Sequence, residues 1–213
     1  MKHNRIFIYT LLLFMLAGNR LEGQAFGAGI VAGLNASQIQ GDLSGGYNKL
    51  GFKAGLRGIV RYAEKTEFGV DLLYSQRGST NGLGPNNINI RWVIRLDYVE
   101  VPVWFCYKDW LSEEGFYQVK AYAGLSYGRL FNVKMVDHPT FPDDQLKNMA
   151  DNDLSFTLGL AYCPGPKFSM GLYFTRSVVP LYNNKKFINH TGLPEYELSL
   201  WGYFLSFQGV YEF

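Results

Sequence analysis

The chain has 213 residues, 47% of them hydrophobic, 16% aromatic and 18% charged, with a mean hydropathy of −0.07. That length fits one domain, and hydropathy so close to zero excludes a bundle of transmembrane helices. A formal charge of +2 is too balanced to point to nucleic acid.

The N-terminus reads as a secretory signal. Lys2, His3 and Arg5 precede an apolar run from Ile6 to Ala17, and polar Asn19, Arg20 and Glu22 follow it. Cleavage is expected near Gly23, Gln24 or Ala25, giving a signal peptide over 1–24 and one domain over 25–213. The run is too short to span a bilayer, although an N-terminal membrane anchor is the alternative. Removing Lys2, Arg5, Arg20 and Glu22 from 20 basic and 18 acidic residues leaves 17 of each. No later apolar run reaches the ~18 residues of a transmembrane helix. An exported chain of this kind is either soluble or a β-barrel.

From residue 26 onward the pattern alternates with the period of two that a strand imposes. Phe26 to Gln38 sets Ile30, Ala32, Leu34 and Ala36 against Gly27, Gly29, Gly33, Asn35 and Ser37. Leu50 to Tyr62 sets Leu50, Phe52, Leu56 and Val60 against Lys53, Arg57 and Arg61. Thr66 to Arg77 sets Phe68, Val70, Leu72 and Tyr74 against Glu67, Asp71 and Ser75. Ile90 to Tyr107 changes phase: Trp92, Ile94, Leu96 and Tyr98 are the apolar set upstream, Val99, Val101, Val103 and Phe105 downstream. A bulge near Asp97–Tyr98, or a strand leaving the membrane there, explains the change. Phe116 to Phe131, Asp153 to Tyr162 and Phe168 to Val178 alternate again. In Trp201 to Phe213, Trp201, Tyr203, Leu205, Phe207, Tyr211 and Phe213 share one face.

Eight strands of this length, with long polar connections after odd strands and short ones after even strands, describe an all-β fold. They predict an eight-stranded antiparallel up-and-down transmembrane β-barrel in a bacterial outer membrane, both termini periplasmic. The less apolar face carries many Gly and Ser and few charges, which suits a tight lumen better than a water-facing surface. Eight strands enclose a lumen only wide enough for side chains, so no wide pore is expected.

Buried charges need partners. Pairing the second and third strands so that residue numbers sum to 128 sets Arg57 opposite Asp71 and Arg61 opposite Glu67. A sum of 220 across the fourth and fifth sets Glu100 opposite Lys120. These six are the expected lumen ion pairs.

Several blocks resemble the PorT-like outer-membrane β-barrel family of Bacteroidetes. They are Gly33-Leu-Asn-Ala-Ser37, Gly41-Asp42, Gly51-Phe-Lys-Ala-Gly55, Leu73-Tyr-Ser-Gln-Arg-Gly78, Asp97-Tyr-Val-Glu-Val-Pro102 and Ala123-Gly-Leu-Ser-Tyr-Gly128. The resemblance spans nearly the whole exported chain. It implies an eight-stranded barrel in the outer membrane, in a family whose namesake is associated with protein secretion and maturation. No block it rests on is catalytic.

Other chemistry is thin. Gly27-Ala-Gly29-Ile-Val-Ala-Gly33 misses the dinucleotide spacing by one and has no βαβ unit around it. His138 and His190 lie in long connections near Asp137, Asp143, Asp144 and Glu195, so a lipid-modifying surface site is conceivable, without a nucleophile motif. Cys106 and Cys163 are separated by a strand, and free thiols are expected. The expectation is a non-enzymatic barrel with no cofactor and no metal, acting in interaction, structure or secretion. Its expected partners are outer-membrane lipid, envelope or secretion proteins, and the barrel-assembly machinery through a terminus ending Tyr211-Glu-Phe213. The alternatives are a lipid-modifying enzyme and a soluble barrel carrying an apolar ligand.

Overall fold

The computed structural model describes residues 25–42, 45–81, 92–136, 149–183 and 199–213. The proposed signal segment and both loop histidines lie outside the described residues.

The chain forms β1 (Ala25–Gln40), β2 (Lys49–Ala63), β3 (Thr66–Thr80), β4 (Val93–Leu111), β5 (Tyr117–Val136), β6 (Asn152–Gly165), β7 (Phe168–Ser177), the two-residue β8 (Tyr182–Asn183) and β9 (Ser199–Glu212). All but β8 make the wall. Each wall strand pairs antiparallel with the next, and β1 returns to pair with β9, from Gly29↔Glu212 to Gln40↔Trp201. The result is the expected closed, eight-stranded antiparallel barrel, a topology that leaves no open sheet edge.

The short connections between β2 and β3, β4 and β5, and β6 and β7 lie at one end with Ala25 and Phe213, and the strand ends that the longer connections join lie at the other. At the β4–β5 turn the Gly115 amide donates to the Ser112 carbonyl at 3.1 Å, and Gly115 sits at φ 84°, a conformation open to glycine.

Alternation gives each strand an outer apolar face. Leu56 and Leu172 are each 61% exposed, whereas Arg57 is 3% and Glu100 1% exposed. Inside, large residues sit over small ones. A Cβ on Gly69 would overlap the Trp104 indole, and one on Gly159 would overlap the Tyr173 ring. These two glycines make room for the aromatic rings that fill the middle of the lumen.

The irregularity expected near Asp97–Tyr98 is present in the β4–β5 register, but β4 itself does not change face. Trp92, Ile94, Leu96, Tyr98, Glu100, Trp104 and Cys106 are all buried, so one even-numbered face points inward along the whole strand. The β3–β4 register runs without a shift. The irregularity belongs to the partner: Asp97 pairs with Asn132 but Tyr98 with Leu130, leaving Phe131 as the extra residue on β5. What changes along β4 is the polarity of the inward face.

Candidate functional site

The site is the lumen, and its charges lie in three tiers. In the middle tier Arg57 meets Asp71 through two parallel bonds, Nε to Oδ1 at 2.9 Å and Nη2 to Oδ2 at 2.8 Å. Trp104 Nε1 adds a third donor to Asp71 Oδ1 at 2.9 Å, and its ring lies 4.7 Å beneath the guanidinium. A planar, two-pronged pair of this kind is the arrangement that best offsets the desolvation of both ions.

Nearer the long-loop end, Arg77 is the hub. Its Nε donates to Glu100 Oε1 at 2.7 Å and its Nη1 to Asp153 Oδ2 at 2.6 Å. Lys53 Nζ approaches Glu100 Oε2 at 3.0 Å. Phe204 and Tyr98 flank the Arg77 guanidinium at 4.3 and 4.8 Å. Asn35 completes this tier: its Nδ2 donates to Ser75 Oγ at 2.9 Å and Ser206 Oγ donates to its Oδ1 at 2.7 Å. Asn35 thus links β3 to β9 through the barrel interior.

At the turn end, Glu67 receives Lys108 at 3.0 Å and lies 3.6 Å from Lys120. Glu212 receives Lys120 at 2.6 Å and Arg61 at 3.2 Å. Cys106 and Cys163 are free and buried nearby.

The register across β2 and β3 places Arg57 opposite Asp71 and Arg61 opposite Glu67. The first is a tight pair. The second is loose at 3.7 Å, because Arg61 sits at the lumen rim with a third of its side chain exposed. The expected Glu100–Lys120 pair is corrected. Glu100 faces Gly128 and Lys120 faces Lys108, since β4 runs on to Leu111 before the turn and moves the register by eight. Both residues remain inside, with other partners: Glu100 with Lys53 and Arg77, Lys120 with Glu212 and Glu67. Sequence reasoning missed Arg77, Asp153, Lys53 and Glu212 as ion-pair members: Arg77–Asp153, Lys53–Glu100 and Lys120–Glu212 join strands that are not sequence neighbours, and Arg77 reaches Glu100 on adjacent β4 diagonally, its direct opposite being Leu96. A signal was present: Lys53, Ser75, Arg77, Tyr98, Glu100 and Ser126 all belong to the blocks quoted above. Those blocks, scattered over β1 to β5, converge in the Arg77 tier and the cavity beside it.

Between the middle tier and Arg77 a cavity of about 30 Å³ remains, edged by Lys53, Glu100, Ser126, Tyr173 and Gln208. That is room for a water molecule or two. Arg57 Nη1, Ser126 Oγ and Tyr173 Oη are buried without a protein partner there, polar groups that such water would satisfy. Among the described residues, charged and aromatic side chains plug the middle of the lumen.

Above Arg77 the lumen turns apolar. Ile39, Trp92, Ile94, Leu96, Leu181 and Leu200 pack into one cluster, with Val133, Met135 and Met149 against it. The outer surface turns polar at the same height. On β4 the last exposed apolar residue is Val99; above it, outward Asp97 accepts from Arg95 Nε (3.0 Å), Asn132 Nδ2 (2.6 Å) and Tyr74 Oη (3.1 Å). So the wall is apolar outside and polar inside over its lower part, while at its mouth an apolar cluster, beside buried Gln38, Asp42, Ser79 and Thr80, fills the interior. The apolar outer band spans Val99–Tyr107 on β4 and Val119–Phe131 on β5. At ~3.3 Å per residue and a tilt of ~40° that is about 20–30 Å, the height of a membrane barrel's apolar band. Aromatic rings mark its upper edge, with Phe52 and Tyr74 4.9 Å apart and Tyr74 and Phe131 5.9 Å apart.

No protein-family model matches the sequence, and no curated protein matches it. Among solved structures, the chain is similar in fold to Ail, the attachment invasion locus protein of Yersinia pestis. Identity is 13% and the TM-score 0.48, covering 90% of this chain and 100% of that one. It is also similar to Neisserial surface protein A (12%, 0.44, 90% and 100%). A third is the outer membrane protein AlkL (16%, 0.36, 92% and 94%).

Proposed function

We propose that the chain is a non-enzymatic integral barrel of a bacterial outer membrane, its long connections facing outward and its termini in the periplasm. The observation that carries this is the inverted polarity of the wall, apolar outward and charged inward. A soluble barrel has no reason to expose Leu56, Leu72, Leu160 and Leu172 while burying Arg57, Asp71 and Glu100. Hydrocarbon outside and a closed ion-pair network inside make both choices favourable.

The plugged lumen argues for work done by the outward end rather than by conduction. The resemblance to the PorT-like family of Bacteroidetes supports the same reading, and with it a role in interaction, envelope structure or secretion. The blocks that carry it furnish the lumen packing, which speaks for a shared barrel more than for a shared task. The test is fractionation with heat-modifiability: protein in the outer-membrane fraction whose gel mobility changes on boiling supports the reading. Protein that stays dissolved without detergent overturns it.

A further inference from the structure

The two rims of the barrel differ in charge. Among the described residues on the outer surface, the long-loop rim carries Lys49, Arg95, Arg129, Lys134 and Arg176 against only Asp151 and the outward but covered Asp97. The turn rim carries Glu64, Asp109, Glu113 and Glu114 against only Lys65 and Lys167.

Within the long-loop rim one arrangement is unusual. Arg95 and Lys134 are directly opposite in the β4–β5 ladder and both point outward. Cross-strand neighbours of like charge repel, with Cβ atoms only ~5 Å apart. Among the described residues Asp97 is the one carboxylate in reach, and it is already shared among Arg95, Asn132 and Tyr74. Lys134 makes no ion pair among the described residues, and Lys49 lies within the electrostatic reach of Arg95 and Asp97. Directly below, Phe131 and Val99 are exposed and apolar. Two cations held together above an apolar footing match an amphiphile with an anionic head and a hydrocarbon tail.

We propose that Arg95 and Lys134 bind the phosphate of an outer-leaflet lipid, whose chains lie along Phe131 and Val99. This rests on the membrane-spanning reading above. The phosphate supplies the counter-charge that Lys134 lacks among the described residues, and the Arg95 guanidinium and the Lys134 ammonium both donate to its oxygens.

The test uses the mature chain in detergent micelles containing phosphatidic acid and diacylglycerol, with retained lipid counted by native mass spectrometry. The wild type is expected to retain phosphatidic acid over diacylglycerol by about tenfold, and R95Q/K134Q to bring the ratio within about twofold, given the strength of cation–headgroup attraction. K65Q/K167Q, which removes two charges from the opposite rim, is expected to leave the ratio unchanged. Undiminished retention in R95Q/K134Q, or an equal loss in K65Q/K167Q, overturns the proposal. Displacement of the lipid by an equal concentration of inorganic phosphate overturns the lipid as the source of the phosphate. Heat-modifiability in the same samples separates the readings. A heat-modifiable, detergent-dependent barrel without phosphatidic acid preference sinks this proposal alone. A chain that needs no detergent sinks the membrane reading.

Discussion

Arg77 on β3 reaches through the lumen to Asp153 on β6, Nη1 to Oδ2 at 2.6 Å, joining two strands that share no ladder. It holds Glu100 with its other edge. Removing it leaves two buried carboxylates short of a counter-charge. R77A is therefore expected to cost about 3–5 kcal/mol, the scale for breaking a buried ion pair from one side. D153N, which keeps the shape and leaves Arg77 its contact with Glu100, is expected to cost less. Urea midpoints followed by the shift between folded and unfolded gel mobility would rank them. R77A no less stable than D153N would contradict the hub role.

The Trp104 indole occupies space that Gly69 leaves free, and it donates to Asp71 at 2.9 Å. G69A is expected to push the ring off that bond at a cost of about 1–3 kcal/mol. A smaller ring should restore part of it, so G69A/W104F is expected to be more stable than the two single changes sum to. A double-mutant cycle by urea unfolding measures this, and strict additivity would count against the packing argument.

With about 30 Å³ free at mid-lumen, reconstituted wild-type protein is expected to show no porin-like conductance steps in planar bilayers. Regular steps in the nanosiemens range would mean that the Arg77 tier opens.

Cys106 and Cys163 are buried, and β5 separates their strands. Both are expected to stay unlabelled by a maleimide in the folded barrel and to react fully after boiling in detergent. A disulfide by mass, or labelling at native rates comparable to the boiled sample, would contradict the placement.

Phe213 is exposed next to Tyr211, ring centroids 6.0 Å apart, and its amide donates to the Ala28 carbonyl at 2.9 Å. If this aromatic end is what the barrel-assembly machinery reads, deleting Phe213 is expected to reduce the heat-modifiable outer-membrane fraction severalfold. An undiminished fraction would remove the sorting role.

Much of the wall was legible because a period of two survives wherever one face meets a single kind of medium. Leu154, Leu158 and Leu160 against Ser155, Thr157 and Gly159 needs no structure to be read. The Arg57–Asp71 register was legible because a tight turn fixes it within one hairpin. What could not be read involves distance across the lumen. Arg77 and Asp153 are 76 positions apart, and which strands face each other depends on closure of the whole cylinder. The apparent phase change in β4 misled for a related reason. Ile94 and Leu96 look like outward residues only if the surroundings are assumed uniform along the strand, and the medium changes at Val99.

That change has a mechanical consequence. From Val99 to Val93 the strand rises another six residues, about 15 Å at the usual rise and tilt. There it is stiffened from within by Ile94, Leu96, Leu181 and Leu200 rather than by charge. The barrel thus stands on a pedestal of its own making. The end of the wall at Val93 stands two residues above the Arg95–Lys134 rung, braced by packed hydrocarbon rather than by ions.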